Sequence, residues 1–75
     1  MNRMIADVRE HLERIPFVPF LIRTSDGHEY PVPTRDHAHI SPRGNRVVIF
    51  LDEGPAVLLG PIHINSIVDH QPNGE

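Results

Sequence analysis

The sequence predicts an α+β domain: an N-terminal helix packed on a small, strongly bent antiparallel sheet of four to five strands. Three observations carry this reading. Apolar residues recur at spacings of three and four over residues 2–15. Beyond Pro16 the apolar pattern changes to alternation in short runs. Those runs are divided by Asp-Gly, Pro-Arg-Gly and Gly-Pro punctuation, the residues that tight turns require.

The helix is expected over residues 2–15, with Ile5, Val8, Leu12 and Ile15 forming one apolar stripe and Asn2 as its N-cap. Three opposite-charge pairs stand four residues apart, Arg3 with Asp7, Arg9 with Glu13 and Glu10 with Arg14, on what reads as the solvated face. Pro16 ends the element, because its ring pushes Ile15 toward an extended conformation. The connector Pro16-Phe17-Val18-Pro19-Phe20 carries two aromatic anchors. Phe20, Ile22 and Thr24 then alternate with Leu21, Arg23 and Ser25 as a half-buried strand. Asp26-Gly27 signals a two-residue type I′ turn. The returning arm, residues 28–32, places Tyr30 and Val32 on one face, and Pro31 and Pro33 demote it to a sheet edge.

Residues 34–41 alternate again, with Ala38 and Ile40 on one face and His37 and His39 on the other. Ser41-Pro42-Arg43-Gly44 is a turn. Residues 47–51 are apolar on both faces and read as the central strand, one face toward the helix and the other needing a second sheet face or a neighbouring chain. After the turn Asp52-Glu53-Gly54-Pro55, a strand over residues 57–59 is broken by Gly60-Pro61. Residues 63–65 suit a helical turn and residues 66–70 a last strand. Residues 1–70 thus form one domain, and residues 71–75 a flexible polar tail.

The length, 75 residues, leaves room for a single core of roughly 3–5 kcal/mol, so a metal or self-association is the expected staple. Cysteine is absent, which excludes disulfides and fits a reducing cytoplasm. No apolar run approaches the roughly 20 residues of a membrane span, and the first residues lack a signal-peptide stretch. A soluble, unexported chain is therefore expected, without a membrane partner. The net charge of −3 gives no general attraction to nucleic acid. All seven basic residues are arginine, which fits either bidentate anion contacts or simple genomic composition.

The Pro-Phe-x-Pro-Phe segment at 16–20, the Asp-Gly hairpin at 26–27 and the His-Ile-x-x-Ile stretch at 63–67 resemble a group of short, uncharacterised bacterial proteins. That resemblance covers most of the chain and implies fold boundaries without an activity. The order of elements, a helix followed by a short bent sheet with a small turn before the last strand, is similar to Sm-like proteins such as the RNA chaperone Hfq. It implies an Sm-like or SH3-like barrel, and an oligomer that binds single-stranded RNA. In that family a Lys-His pair before the last strand contacts RNA; here His63 holds the comparable place and position 62 is Ile. The sheet either closes into such a barrel or stays open under the helix.

Three candidate sites follow. Arg35, Arg43 and Arg46, with His63 and a single opposing Asp36, make an anion- or RNA-binding set, or else a solvated hairpin tip. His37 and His39, two apart on one strand, have the spacing of a divalent-metal chelate; otherwise they are surface histidines and no cofactor is expected. Phe17, Phe20, Val48 and Phe50 offer more apolar surface than one helix covers, and form a candidate self-association interface. Nucleophile elbow, phosphate loop, zincin helix and cysteine nucleophile are all missing from the sequence. The expected function is a small, non-enzymatic protein-interaction or regulatory module that self-associates. The alternatives are an Sm-like single-stranded RNA binder and a His-based metal-binding module.

Overall fold

The structure, a computed structural model, describes residues 3–69. Helix α1 (Arg3–Glu13) is followed by β1 (Phe20–Thr24) and β2 (Glu29–Val32), then a 3-10 turn (Arg35–His37). Next come β3 (Ala38–Ile40), β4 (Val47–Ile49) and β5 (Val57–Leu59), a second 3-10 turn (Pro61–His63), and β6 (Ile64–Asp69). The strands form two antiparallel sheets of three, in the orders β2-β1-β6 and β3-β4-β5. The α+β class is as the sequence predicts. The single sheet of four to five strands is not: among the described residues there are six short strands in two sheets. Pro31, Pro33 and the 3-10 turn lie where one long strand would otherwise continue, so β2 and β3 fall in different sheets.

Helix α1 buries Ile5 and Val8 completely and packs Met4 and Leu12 against the same core. Its stripe ends sooner than the periodicity implies. The helix stops at Glu13, and Ile15, with a cis bond to Pro16, is 88% exposed. Arg14 also departs from the expected pairing: its guanidinium reaches Asp69 of β6 (3.1 Å) rather than Glu10, while Arg9 and Glu13 meet at 4.0 Å. Asp69 is shared with His11, whose Nε2 lies 3.2 Å from Oδ1 and whose Nδ1 bonds the Asp7 carbonyl at 2.8 Å. The helix thereby packs on β6 of the first sheet and β3 of the second, bridging the two. Asn2, His70 and the tail over 71–75 lie outside the described residues.

The β1–β2 hairpin also differs in detail. Gly27 has φ +91°, whereas Asp26 stays at negative φ, which rules out a type I′ turn. The Gly27 N–H donates to the Thr24 carbonyl (3.0 Å) and the Thr24 N–H to the His28 carbonyl (2.9 Å). That is a three-residue loop: a type I turn closed by a left-handed glycine. Strand β2 is a sheet edge, as its prolines require.

The core collects Phe20, Ile22 and Val32 from the first sheet, Ala38, Val47, Ile49 and Leu59 from the second, and Ile64 from β6. Each large side chain so buried stabilises by about 1.5–3 kcal/mol relative to exposure. Strand β4 is central, as expected, but ends at Ile49 instead of 51. Val47 and Ile49 point into the core, which turns Val48 to the outer face.

Candidate functional site: a double cleft beside the second sheet

The arginines predicted to bind anions divide into two kinds. Arg35 is engaged: its Nε donates to the Leu12 carbonyl (2.9 Å), its Nη2 to the Arg14 carbonyl (2.6 Å), and its guanidinium carbon lies 5.4 Å from the Phe17 ring centroid. It satisfies carbonyls that the end of α1 leaves without intrahelical partners, so its role is to cap the helix. Arg43 and Arg46 are exposed on the β3–β4 hairpin, and the Arg46 guanidinium makes one bond among the described residues, from Nη1 to the Asn45 carbonyl (3.3 Å). Neither meets a carboxylate among the described residues. Arg46 and His63 line one cleft together with Leu58, Gly60, Pro61 and Ile62, with a volume of about 380 Å³.

The interface candidates divide as well. Phe20 is fully buried, and Phe17 is half-buried against it with ring centroids 6.0 Å apart, so both belong to the core. The alternation places Val48 on the outer face of the second sheet, and Phe50, just past the end of β4, is 46% exposed. Leu58, 61% exposed, sits directly across from Val48 in register. Ile62, 83% exposed, follows on the second 3-10 turn. Sequence reasoning missed Leu58 and Ile62. The available signal was the alternation within residues 57–59, which turns Leu58 outward once Leu59 is assigned to the core.

The two candidate metal ligands stand in different elements: His39 belongs to β3, and His37 to the first 3-10 turn rather than to a strand. Both ring nitrogens are engaged, Nδ1 with Thr34 Oγ1 (2.8 Å) and Nε2 with Asp52 Oδ1 (2.7 Å). Among the described residues no three His, Cys, Asp or Glu side chains cluster as a metal site.

A second cleft, of about 240 Å³, adjoins the first and shares Leu58 and His63 with it. Its other walls are Thr24, Ser25 and Asp26 of the hairpin, Tyr30 of β2 and Leu59 of β5. Thr24 is buried and its hydroxyl donates to the Asp26 carboxylate while accepting the His28 N–H (3.2 Å). The Thr24 hydroxyl first, and the His28 ring 3.2 Å away second, hold the Asp26 carboxyl down at about 2 from an ordinary 3.8. His28 in turn stacks on Tyr30, with centroids 6.0 Å apart and planes 17° from parallel. Ser25 fastens the hairpin to the second 3-10 turn: its N–H donates to the His63 carbonyl (2.8 Å) and its hydroxyl to the Ile62 carbonyl (3.0 Å). The Gly60 N–H donates to His63 Nδ1 (3.1 Å), so the proton of the neutral ring resides on Nε2.

No family model, curated protein or solved structure matches this chain. Among the described residues no helix is long and apolar enough to cross a membrane.

Proposed function

We propose that this chain is a small, non-enzymatic interaction or regulatory module that self-associates through the outer face of its second sheet. The observation that carries the reading is the apolar pair of half-buried Val48 and exposed Leu58 on the outer face, with exposed Phe50 and Ile62 in the segments that follow β4 and β5. Contiguous apolar surface of this kind marks a contact site, because covering it removes the cost of its hydration. A second copy is the occupant at hand: it brings the same self-complementary patch, and a core this small gains stability from association. A cytoplasmic home fits the cysteine-free sequence.

A non-enzymatic role is supported by the state of the polar groups around the clefts. The Ser25 hydroxyl proton is committed to a backbone carbonyl, and among the described residues no base engages its oxygen. Asp26 is pushed down to about 2, away from the range in which a carboxyl exchanges protons at neutral pH.

The contact is tested by mixing isotope-labelled and unlabelled chains and recording intermolecular NOEs. Methyl groups of Val48 and Leu58 should contact the partner's Phe50 ring, and Leu58→Asp should abolish those signals. Sharp monomer spectra without intermolecular NOEs at millimolar concentration would refute it.

One observation favours a second reading, an Sm-like oligomer that binds single-stranded RNA: Arg46 and His63 share a cleft just ahead of the last strand. The net charge of −3, Ile62 in place of a lysine and the engagement of Arg35 by α1 rank it below self-association.

A further inference from the structure

The cleft that Arg46 shares with His63 has the makings of a small-molecule site on its own. Leu58, which the alternation of β5 turns outward, forms one wall, and Pro61, Ile62 and His63 of the second 3-10 turn form another. Arg46, just ahead of β4, completes the lining. The volume of about 380 Å³ falls within the roughly 300–1,000 Å³ of small-molecule sites. No carboxylate lines it. The Arg46 guanidinium makes one bond among the described residues, the 3.3 Å contact with the Asn45 carbonyl, and so keeps N–H donors in reserve. The Gly60 N–H occupies His63 Nδ1, which leaves the Nε2 proton of that ring as a second donor.

We propose that this cleft binds a small amphipathic carboxylate, its two oxygens on Arg46 and His63 and its apolar body over Leu58 and Ile62. A guanidinium meets a carboxylate through charge-assisted bonds stronger than those to a neutral oxygen, and covering Leu58 and Ile62 removes apolar surface from water. The number of cations decides against a nucleic acid. A row of phosphates needs a row of partners, and the cleft supplies one arginine, while Arg35 is held by the end of α1. The inference does not rest on self-association. Leu58 and Ile62 belong to both surfaces, so a second copy competes with the ligand, but Phe50 lies outside the cleft and serves to separate the two.

The test is an NMR titration of the full chain, labelled with nitrogen-15, with hexanoate at constant ionic strength. It is run in parallel on Phe50→Ser, which weakens the self-contact and leaves the cleft lining intact. Hexanoate should shift the amides of Leu58, Gly60, Ile62 and His63 saturably in one or both chains. Acetate, which lacks the apolar body, and 1-hexanol, which lacks the charge, should each bind more weakly. Arg46→Gln should weaken hexanoate roughly fivefold, the scale of a partly exposed ion pair, while its spectrum stays dispersed. Absence of a saturable shift from both chains at millimolar hexanoate overturns the proposal. So does equal binding of acetate, of 1-hexanol or by Arg46→Gln, and so does a six-uridine oligonucleotide shifting these amides where hexanoate does not.

Discussion

Thr24 is buried, yet the groups it organises, the Asp26 carboxylate and the His28 N–H, belong to exposed residues. That arrangement makes the hairpin sensitive to acid. The Asp26 carboxyl sits at about 2 in the fold against an ordinary 3.8, so the folded state favours the ionised form. A depressed carboxyl contributes stability that is fully present above the ordinary value and is lost as pH falls through the folded one. Thermal melts of the chain and of Asp26→Asn should therefore differ at neutral pH, with the variant the less stable. The gap should narrow as pH falls from about 4 to about 2. A gap independent of pH would show that the carboxylate charge has no part in it. The turn itself was legible in Asp26-Gly27, because glycine there adopts positive φ. The loop length was not, since it depends on which backbone groups of Thr24, Gly27 and His28 pair across the turn. Arg35 teaches the same lesson. Its neighbours in sequence suggested an anion site, while its partners, Leu12 and Arg14, are more than twenty residues away.

Helix α1 was the most legible element, because its stripe is local: Ile5 and Val8 are separated by less than one turn and both point into the core. Its C-terminal limit is two residues earlier than expected, at Glu13 rather than 15, so Ile15 falls outside the buried stripe. The two isoleucines therefore separate the readings. Ile5→Ala should cost about 2–5 kcal/mol in urea denaturation, as a fully buried truncation does. Ile15→Ala should stay within about 0.5 kcal/mol of the parent, as surface changes do. Equal losses would return Ile15 to the buried stripe. The end of the helix is held by Arg35, so Arg35→Ala should destabilise by about 1–3 kcal/mol by removing two charge-assisted bonds to backbone carbonyls. An unchanged denaturation midpoint would mean that water replaces the cap at no cost.

At the scale of the whole molecule, the strands on either side of the first 3-10 turn go to different sheets, with α1 bridging β6 and β3. The number of strands, six among the described residues, exceeds the four to five expected, while their approximate positions follow from alternation and turn residues. Their division between sheets does not, because pairing is a long-range choice that local pattern leaves open. The candidate surface was half legible for a related reason. Val48 and Phe50 emerge from the two-sided apolar run, but Leu58 and Ile62 count as a surface only once β5 lies beside β4. The phenylalanines of the connector looked equally available and are core instead, since Phe20 fills the space under α1 and Phe17 packs between it and Arg35. Among the described residues Phe50, Leu58 and Ile62 stay exposed beside the second sheet, as Ile15 does beyond the helix, and self-association is the claim that rests on the first three.

Sedimentation velocity of the untagged chain over a wide concentration range tests that claim most directly. The account predicts a concentration-dependent dimer or larger assembly that Leu58→Asp reduces to monomer without loss of folded structure. A single monomeric species at every concentration, or an assembly that Leu58→Asp leaves intact, would contradict it.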